Sequence, residues 1–203
     1  MLFFSFLGCD GSGKSAVIRG LKERLANDEV TVVTGHWRPR AFSREATAEG
    51  LMVADNPHGE VPRACLSSIL KLGWLAANWW VGWIRLKNKL GKSGVLLFDR
   101  YHADLLVDSR RYRYGGPMVL AKWATRLMPQ PNIVFFLDAE PEVLLSRKQE
   151  VGKEALKVAR EKYLALCKTN SRFIVIDASQ SLDQVIDEIY QQIVKFRTKI
   201  SSI

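Results

Sequence analysis

Gly8-Cys-Asp-Gly-Ser-Gly-Lys14-Ser15 sets glycines, a lysine and a hydroxyl at the spacing G-x-x-x-x-G-K-S. Such a loop can hold a polyphosphate. Its glycines let successive backbone N–H groups turn toward one centre, a following helix adds the positive end of its dipole, and the lysine supplies a point charge. Gly8, Asp10, Gly11, Ser12, Gly13, Lys14, Ser15 and Ala16 are therefore the expected ATP-binding residues, with Ser15 offering its hydroxyl to Mg2+. Asp99-Arg100-Tyr101 is the second group able to do chemistry. A carboxylate at Asp99 can hold Mg2+ or orient an attacking oxygen, and the Arg100 guanidinium can clamp a phosphate through two hydrogen bonds.

Both groups need strand ends to position them. Leu2 to Leu7 is a short apolar run of strand length, and Val17, Leu21 and Leu25 recur at helical spacing within 15–27, so the glycine loop falls between a strand and a helix. Val30 to Thr34 reads as a second strand. Val95 to Phe98, Ile133 to Leu137 and Phe173 to Ile176 are uninterrupted apolar runs suited to strands buried on both faces. Helical patterns cover 63–90, interrupted or weakened around Gly73 and Gly82, then 118–127, 141–167 with a break near Gly152, and 182–199. The alternation predicts a single three-layer α/β/α domain over 1–203 with a five-stranded parallel sheet. In such a sheet ligands collect at the carboxyl ends of the strands, which brings Asp99 toward Lys14 and Ser15.

The chain has 203 residues, 47% of them hydrophobic and 25% charged, which excludes the disordered and collagen-like classes. The net charge of +9 favours an anionic partner without choosing among nucleotide, nucleic acid and acidic membrane. Cys9, Cys65 and Cys167 form no metal-binding spacing, and neither the apolar opening nor 69–84 is long enough to span a membrane, so a reduced, cytoplasmic protein is expected.

These residues together resemble the thymidylate kinase family of P-loop nucleoside monophosphate kinases. The resemblance rests on the Phe6 to Ser15 loop, Asp99-Arg100-Tyr101, Phe136-Leu-Asp138 with Pro141-Glu142 and Arg147-Lys148, and Asp177 to Asp183, in that order along nearly the whole chain. It implies a P-loop NTPase fold and transfer of the ATP γ-phosphoryl, with Mg2+, to a nucleoside monophosphate such as dTMP. It implies further that Asp10 faces the acceptor sugar, that Arg100 and Tyr101 meet the acceptor, and that a cation of a short lid around 146–155 covers the migrating group. Arg147 is the first choice, since Gly11 stands where the loop could carry an arginine. Lys14, Asp99, Arg100 and Arg147 are thus the expected catalytic residues, and Ser15 and Asp99 the metal-binding ones.

The chain departs from the family at the acceptor. Leu75 and Trp79 fall where members place a stacking phenylalanine and an arginine, and Gly35 to Arg40 replaces an acidic-Pro-Gly segment. Arg38, Arg40 and Trp79 are candidate acceptor contacts in their stead. A sugar-phosphate or lipid-linked acceptor in surface-polysaccharide synthesis stays open as an alternative, as does a non-catalytic ATP-binding regulator. Ser109 to Pro117, with Arg110, Arg111, Arg113, Tyr112 and Tyr114, reads as an acceptor-site loop more economically than as a nucleic-acid surface. Trp74, Trp79, Trp80 and Trp83 crowd one helix, and core packing explains part of the cluster. The rest is open among the acceptor pocket, a homodimer contact of the kind by which the family pairs, and a peripheral membrane contact helped by Lys87, Lys89 and Lys92.

Overall fold

A computed structural model describes residues 1–37, 61–91, 93–149 and 151–201. The elements run β1 (Leu2–Leu7), α1 (Lys14–Asn27), β2 (Val32–His36), α2 (Cys65–Leu90), β3 (Val95–Asp99), α3 (Asp104–Val107), α4 (Met118–Leu127), β4 (Ile133–Asp138), α5 (Pro141–Arg147), α6 (Lys153–Lys168), β5 (Phe173–Asp177) and α7 (Leu182–Ser201). All strands are parallel, in the order β2-β3-β1-β4-β5. The five apolar runs are the five strands, as their continuous hydrophobicity requires when helices cover both faces.

Side chains of β1 alternate between two helical layers. Phe3 packs on Trp79 and Trp83 of α2, whereas Phe4 meets Phe196 of α7. The α1 and α7 helices pack together on one side, and α2, α4, α3 and α6 make a connected layer on the other.

Two local expectations need correction. Gly73 and Gly82 do not break α2, which runs for 26 residues. Each glycine costs about 1 kcal/mol in a helix interior, and burial of Leu72, Leu75 and Trp79 in the core outweighs it. The β2 strand begins two residues later than its β-branched run suggests and continues through His36, because it pairs with β3 from Val32–Val95 to His36–Asp99, where Gly35 leaves room for the Phe98 ring. The break near Gly152 is present, between α5 and α6.

Trp79 is fully enclosed, with Phe98 at 5.3 Å and the His102 ring edge-on at 5.3 Å. His102 Nε2 donates to the Pro129 carbonyl at 3.2 Å, and Nδ1 finds no partner among the described residues. Burial pushes the imidazole down to about 4. Between that value and the ordinary 6.5 the unfolded chain binds the extra proton, so stability rises with pH across this window, by about 3 kcal/mol. His102→Gln should flatten the slope of urea midpoint against pH between about pH 4 and 7; an unchanged slope would show that another group carries it.

Candidate active site

The β1 strand delivers the chain to Gly8, and α1 begins at Lys14 directly after the left-handed Gly13. Gly11 (φ +86°) also needs its missing side chain, since a Cβ there would lie 2.6 Å from the Leu144 carbonyl of α5. That approach explains why this position carries no arginine: α5 closes the space. Lys14 is buried, and its Nζ donates to the carbonyls of Gly8 (3.0 Å) and Cys9 (2.8 Å) and to Ser12 Oγ (3.2 Å). Burial, aided by Arg100, lowers its ammonium to about 8. The loop therefore holds a cation that gains much from an arriving polyphosphate. Burial pushes the neighbouring Cys9 thiol up to about 11, so it is no nucleophile at neutral pH.

Register brings the second group alongside. Phe6 of β1 pairs with Asp99, and so does His36 of β2, so three strands end together at the loop. Ser15 Oγ donates to Asp99 Oδ2 at 3.0 Å, while Asp99 Oδ1 is buried without a partner among the described residues. A hydroxyl and a carboxylate with one unpartnered oxygen fit a hydrated Mg2+ that takes its other ligands from phosphates and water. Among the described residues no cluster of three His, Cys, Asp or Glu competes for such an ion.

Arg100 leaves β3 in the left-handed region (φ +61°), its N–H bonded to the Phe6 carbonyl at 2.9 Å. That conformation turns the side chain inward. Nη1 donates to Asp104 Oδ2 at 2.7 Å and Nη2 to Asp10 Oδ1 at 2.9 Å. Arg111 Nη2 reaches the other oxygen of Asp10 at 3.0 Å. The Asp10 carboxylate thus lies between two guanidiniums beside the glycine loop. Burial alone would raise its pKa, but Arg100 and Arg111 overcome that and hold it well below the usual carboxylate range.

Asp104 is entirely buried and accepts further hydrogen bonds from Tyr112 Oη at 2.5 Å and from Tyr163 Oη. Burial opposes its charge, yet Arg100 and the tyrosine donors keep it ionised. Trp37, bonded through its backbone N–H to the Asp99 carbonyl at 2.8 Å, stacks flat on Tyr112 with ring centres 4.6 Å apart.

The structure therefore brings Asp10, Lys14, Ser15, Asp99 and Arg100 to one place. It does not bring Trp79 or Tyr101 there. Trp79 is core, and Tyr101 is buried with its ring edge-on to His102, because consecutive residues leave a strand end in opposite directions. Arg38 and Arg40 lie outside the described residues. Arg147, last residue of α5, donates from Nη1 to the Ala178 carbonyl at 2.8 Å and so reaches the loop after β5. In the segment after α5, Lys153 pairs with Glu142 at 2.7 Å on the surface.

Sequence reasoning missed Asp104, Tyr163 and Arg160, and did not single out Arg111 within its basic loop. The i, i+4 spacing from Arg100 was a usable sign for Asp104. Arg160 forks onto both oxygens of Asp138 (2.7 and 2.9 Å) and onto Glu140 (2.6 Å), but no local pattern marks it.

Two anion-binding centres thus stand side by side, a dipole-and-lysine cradle and an arginine pair. Residues 6–189 match the family model described as thymidylate kinase. A probable thymidylate kinase of Sulfolobus acidocaldarius is 25% identical over 97% of this chain and 98% of its own. A thymidylate kinase of Ligilactobacillus salivarius is 28% identical over 92% and 94%, and one of Fervidobacterium nodosum 26% over 96% and 97%.

Proposed function

Because this chain belongs to the thymidylate kinase family, we propose that it transfers the γ-phosphoryl group of ATP to a deoxynucleoside monophosphate, with dTMP as the acceptor. The observation that carries this reading is the seat of Asp10: a carboxylate of the donor loop lies between Arg100 and Arg111, where an acceptor phosphate would find two cations beside the donor.

In this reading the loop amides and Lys14 bind the β and γ phosphates, with charge neutralised as it moves onto the bridging oxygen. Ser15 and Asp99 would hold Mg2+, which when bound draws the donor phosphates together and offsets their charge. Arg100 and Arg111 orient the acceptor phosphate so that one of its oxygens attacks the γ phosphorus as the bond to the β–γ bridging oxygen breaks, leaving ADP. Asp10, released from the arginines by that phosphate, is free to accept from an acceptor hydroxyl. Arg147 would cover the migrating group by exchanging the Ala178 carbonyl for a phosphate oxygen. Little covalent help is needed, since positioning and electrostatics supply most of the rate.

The test is ADP release from Mg·ATP by the purified chain with no acceptor, dTMP, dUMP, UMP, CMP or a set of sugar phosphates. The expected result is strong stimulation by dTMP. Stimulation by a sugar phosphate alone, or by none of them despite ATP binding, would overturn the assignment.

A further inference from the structure

Arg100, Asp104, Arg111 and Tyr112 come from one short stretch of chain, and Asp10 from the glycine loop. Tyr163 comes from α6. Its buried hydroxyl donates to Asp104 Oδ1 and accepts from Arg100 Nη1 at 3.3 Å. A phenol oxygen carries one proton and two lone pairs, so it can do both at once. Arg100 Nη1 also donates to Asp104 Oδ2 at 2.7 Å. The three groups close a ring in which the Tyr163 hydroxyl fixes both the Nη1 edge of the guanidinium and the carboxylate facing it. Nη2 is left pointing at Asp10, on the side of the donor loop.

The helix that carries Tyr163 is itself fastened on the donor side. Leu156, Arg160 and Tyr163 recur at i, i+4 and i+7 and so lie along one face of α6. The Leu156 carbonyl accepts from Cys9 Sγ of the glycine loop at 3.9 Å. Arg160 holds Asp138 and Glu140, where β4 passes into α5. Tyr163 stacks on Phe136 of β4 with ring centres 5.0 Å apart. One helix face thus meets the donor loop, the β4–α5 corner and Arg100 in succession. Tyr112 offers a contrast. Its hydroxyl donates to the same Asp104 carboxylate at 2.5 Å, but it is carried by the loop after α3 and stacks on Trp37 at the end of β2.

From this arrangement we infer that Tyr163 is a positioning residue through which the seat of α6 on the donor loop sets the aim of Arg100, so that filling the donor site orders the acceptor site. The inference rests on Arg100 meeting the acceptor phosphate, as proposed above. Donor phosphates tighten the glycine loop and the β4–α5 corner around themselves, α6 follows because it is bonded to both, and the Tyr163 hydroxyl passes that constraint to the guanidinium. A shorter route competes with this one: Asp10 belongs to the glycine loop and is bonded directly to Arg100 and Arg111.

Hydrogen–deuterium exchange of the full chain, with and without Mg2+ and a non-hydrolysable ATP analogue, separates the two routes. In the parent chain the analogue should slow exchange about five-fold or more in peptides spanning 100–112 as well as in the glycine loop and α1. Tyr163→Phe should keep the protection of the glycine loop and α1, which also shows that the variant is folded, and should lose the protection at 100–112. Tyr112→Phe, which removes a hydroxyl from the same carboxylate, should keep both. In turnover with dTMP, Tyr163→Phe should raise the acceptor KM about ten-fold and move kcat and the KM for ATP far less. Protection at 100–112 that survives Tyr163→Phe would overturn the inference, because Asp10 would then carry the coupling. Its loss in both tyrosine variants alike would do so too, since the two hydroxyls would then only satisfy a buried carboxylate, as would its absence from the parent chain. The exchange comparison uses no acceptor, so a failure of the dTMP assay leaves it readable.

Discussion

Lys14→Met is expected to lower kcat by at least about 10^2- to 10^3-fold, the loss typical of removing one preorganised donor from a developing charge. Met keeps the buried methylenes of Lys14 and removes only the ammonium that Gly8, Cys9 and Ser12 hold in place. Burial of that charge is costly to the empty protein, as its lowered value of about 8 shows. The thermal midpoint of the variant should therefore equal or exceed that of the parent chain. The same depression predicts a pH effect with a defined sign. Between about 8 and the ordinary 10.5 the unfolded chain binds more protons than the folded one, so the stability of the nucleotide-free protein rises with pH across that window. Meanwhile kcat/KM for ATP, which reports the free enzyme, should fall as pH rises through about 8. Bound phosphates restore the charged form, so kcat should hold to higher pH. A variant that turns over near the parental rate, or a flat kcat/KM profile to pH 9.5, would remove Lys14 from the donor site.

The second large effect lies at the arginine beside the loop. Arg100→Ala leaves Asp104 fully buried without its counter-charge and Asp10 with one guanidinium instead of two. Breaking a buried pair from one side costs about 3–5 kcal/mol. Chemical denaturation should show that loss, and kcat/KM for the acceptor should drop about 100-fold or more while KM for ATP changes little. Arg100→Lys separates the two consequences. It keeps a charge near Asp104 and so recovers much of the stability, but loses the planar fork and so fails to recover acceptor binding. Asp104 is then a positioning residue: Asp104→Asn should raise acceptor KM more than it lowers kcat, because Nη1 of Arg100 loses its charged partner and keeps the weaker bond to Tyr163 Oη at 3.3 Å. Its folded pKa is depressed, so its stabilising contribution is present above the ordinary carboxylate value near 3.8 and is lost as pH falls below it. The Asn variant should accordingly show a shallower loss of stability in acid. Identical acceptor KM values for Asp104→Asn and the parent chain would place Asp104 in the fold alone.

Both effects rest on groups that differ in how far they could be read from the chain. The glycine loop is legible because every part of its function is local. Left-handed glycines, a helix N-terminus and a lysine one residue past them are dictated by eight consecutive residues. The five strands are legible because burial on both faces removes the polar alternation from their sequences. Asp99 and Arg100 could be placed near Lys14 because parallel strands of such a sheet present their carboxyl ends together, and the register of Phe6 with Asp99 does so here.

What surrounds that frame was decided by packing. Trp79 and Trp80 are chemically identical neighbours, yet one is sealed against Phe3 and Phe98 and the other lies half-exposed, since helix rotation about the sheet chooses which side chain is buried. Arg110, Arg111 and Arg113 stand almost together in sequence, and only the turn after α3 sends Arg111 to Asp10, 101 residues away. Tyr163 meets Asp104 across 59 residues, and Arg147 reaches Ala178 across 31. The sequence by itself determined the donor loop, the parallel sheet and the acid–arginine pair at its edge, because short-range backbone geometry and burial periodicity fix them. Only the tertiary structure decided which cations converge on Asp10, which carboxylate orients Arg100 and which tryptophans face outward, because those contacts depend on distances between elements that no local spacing records.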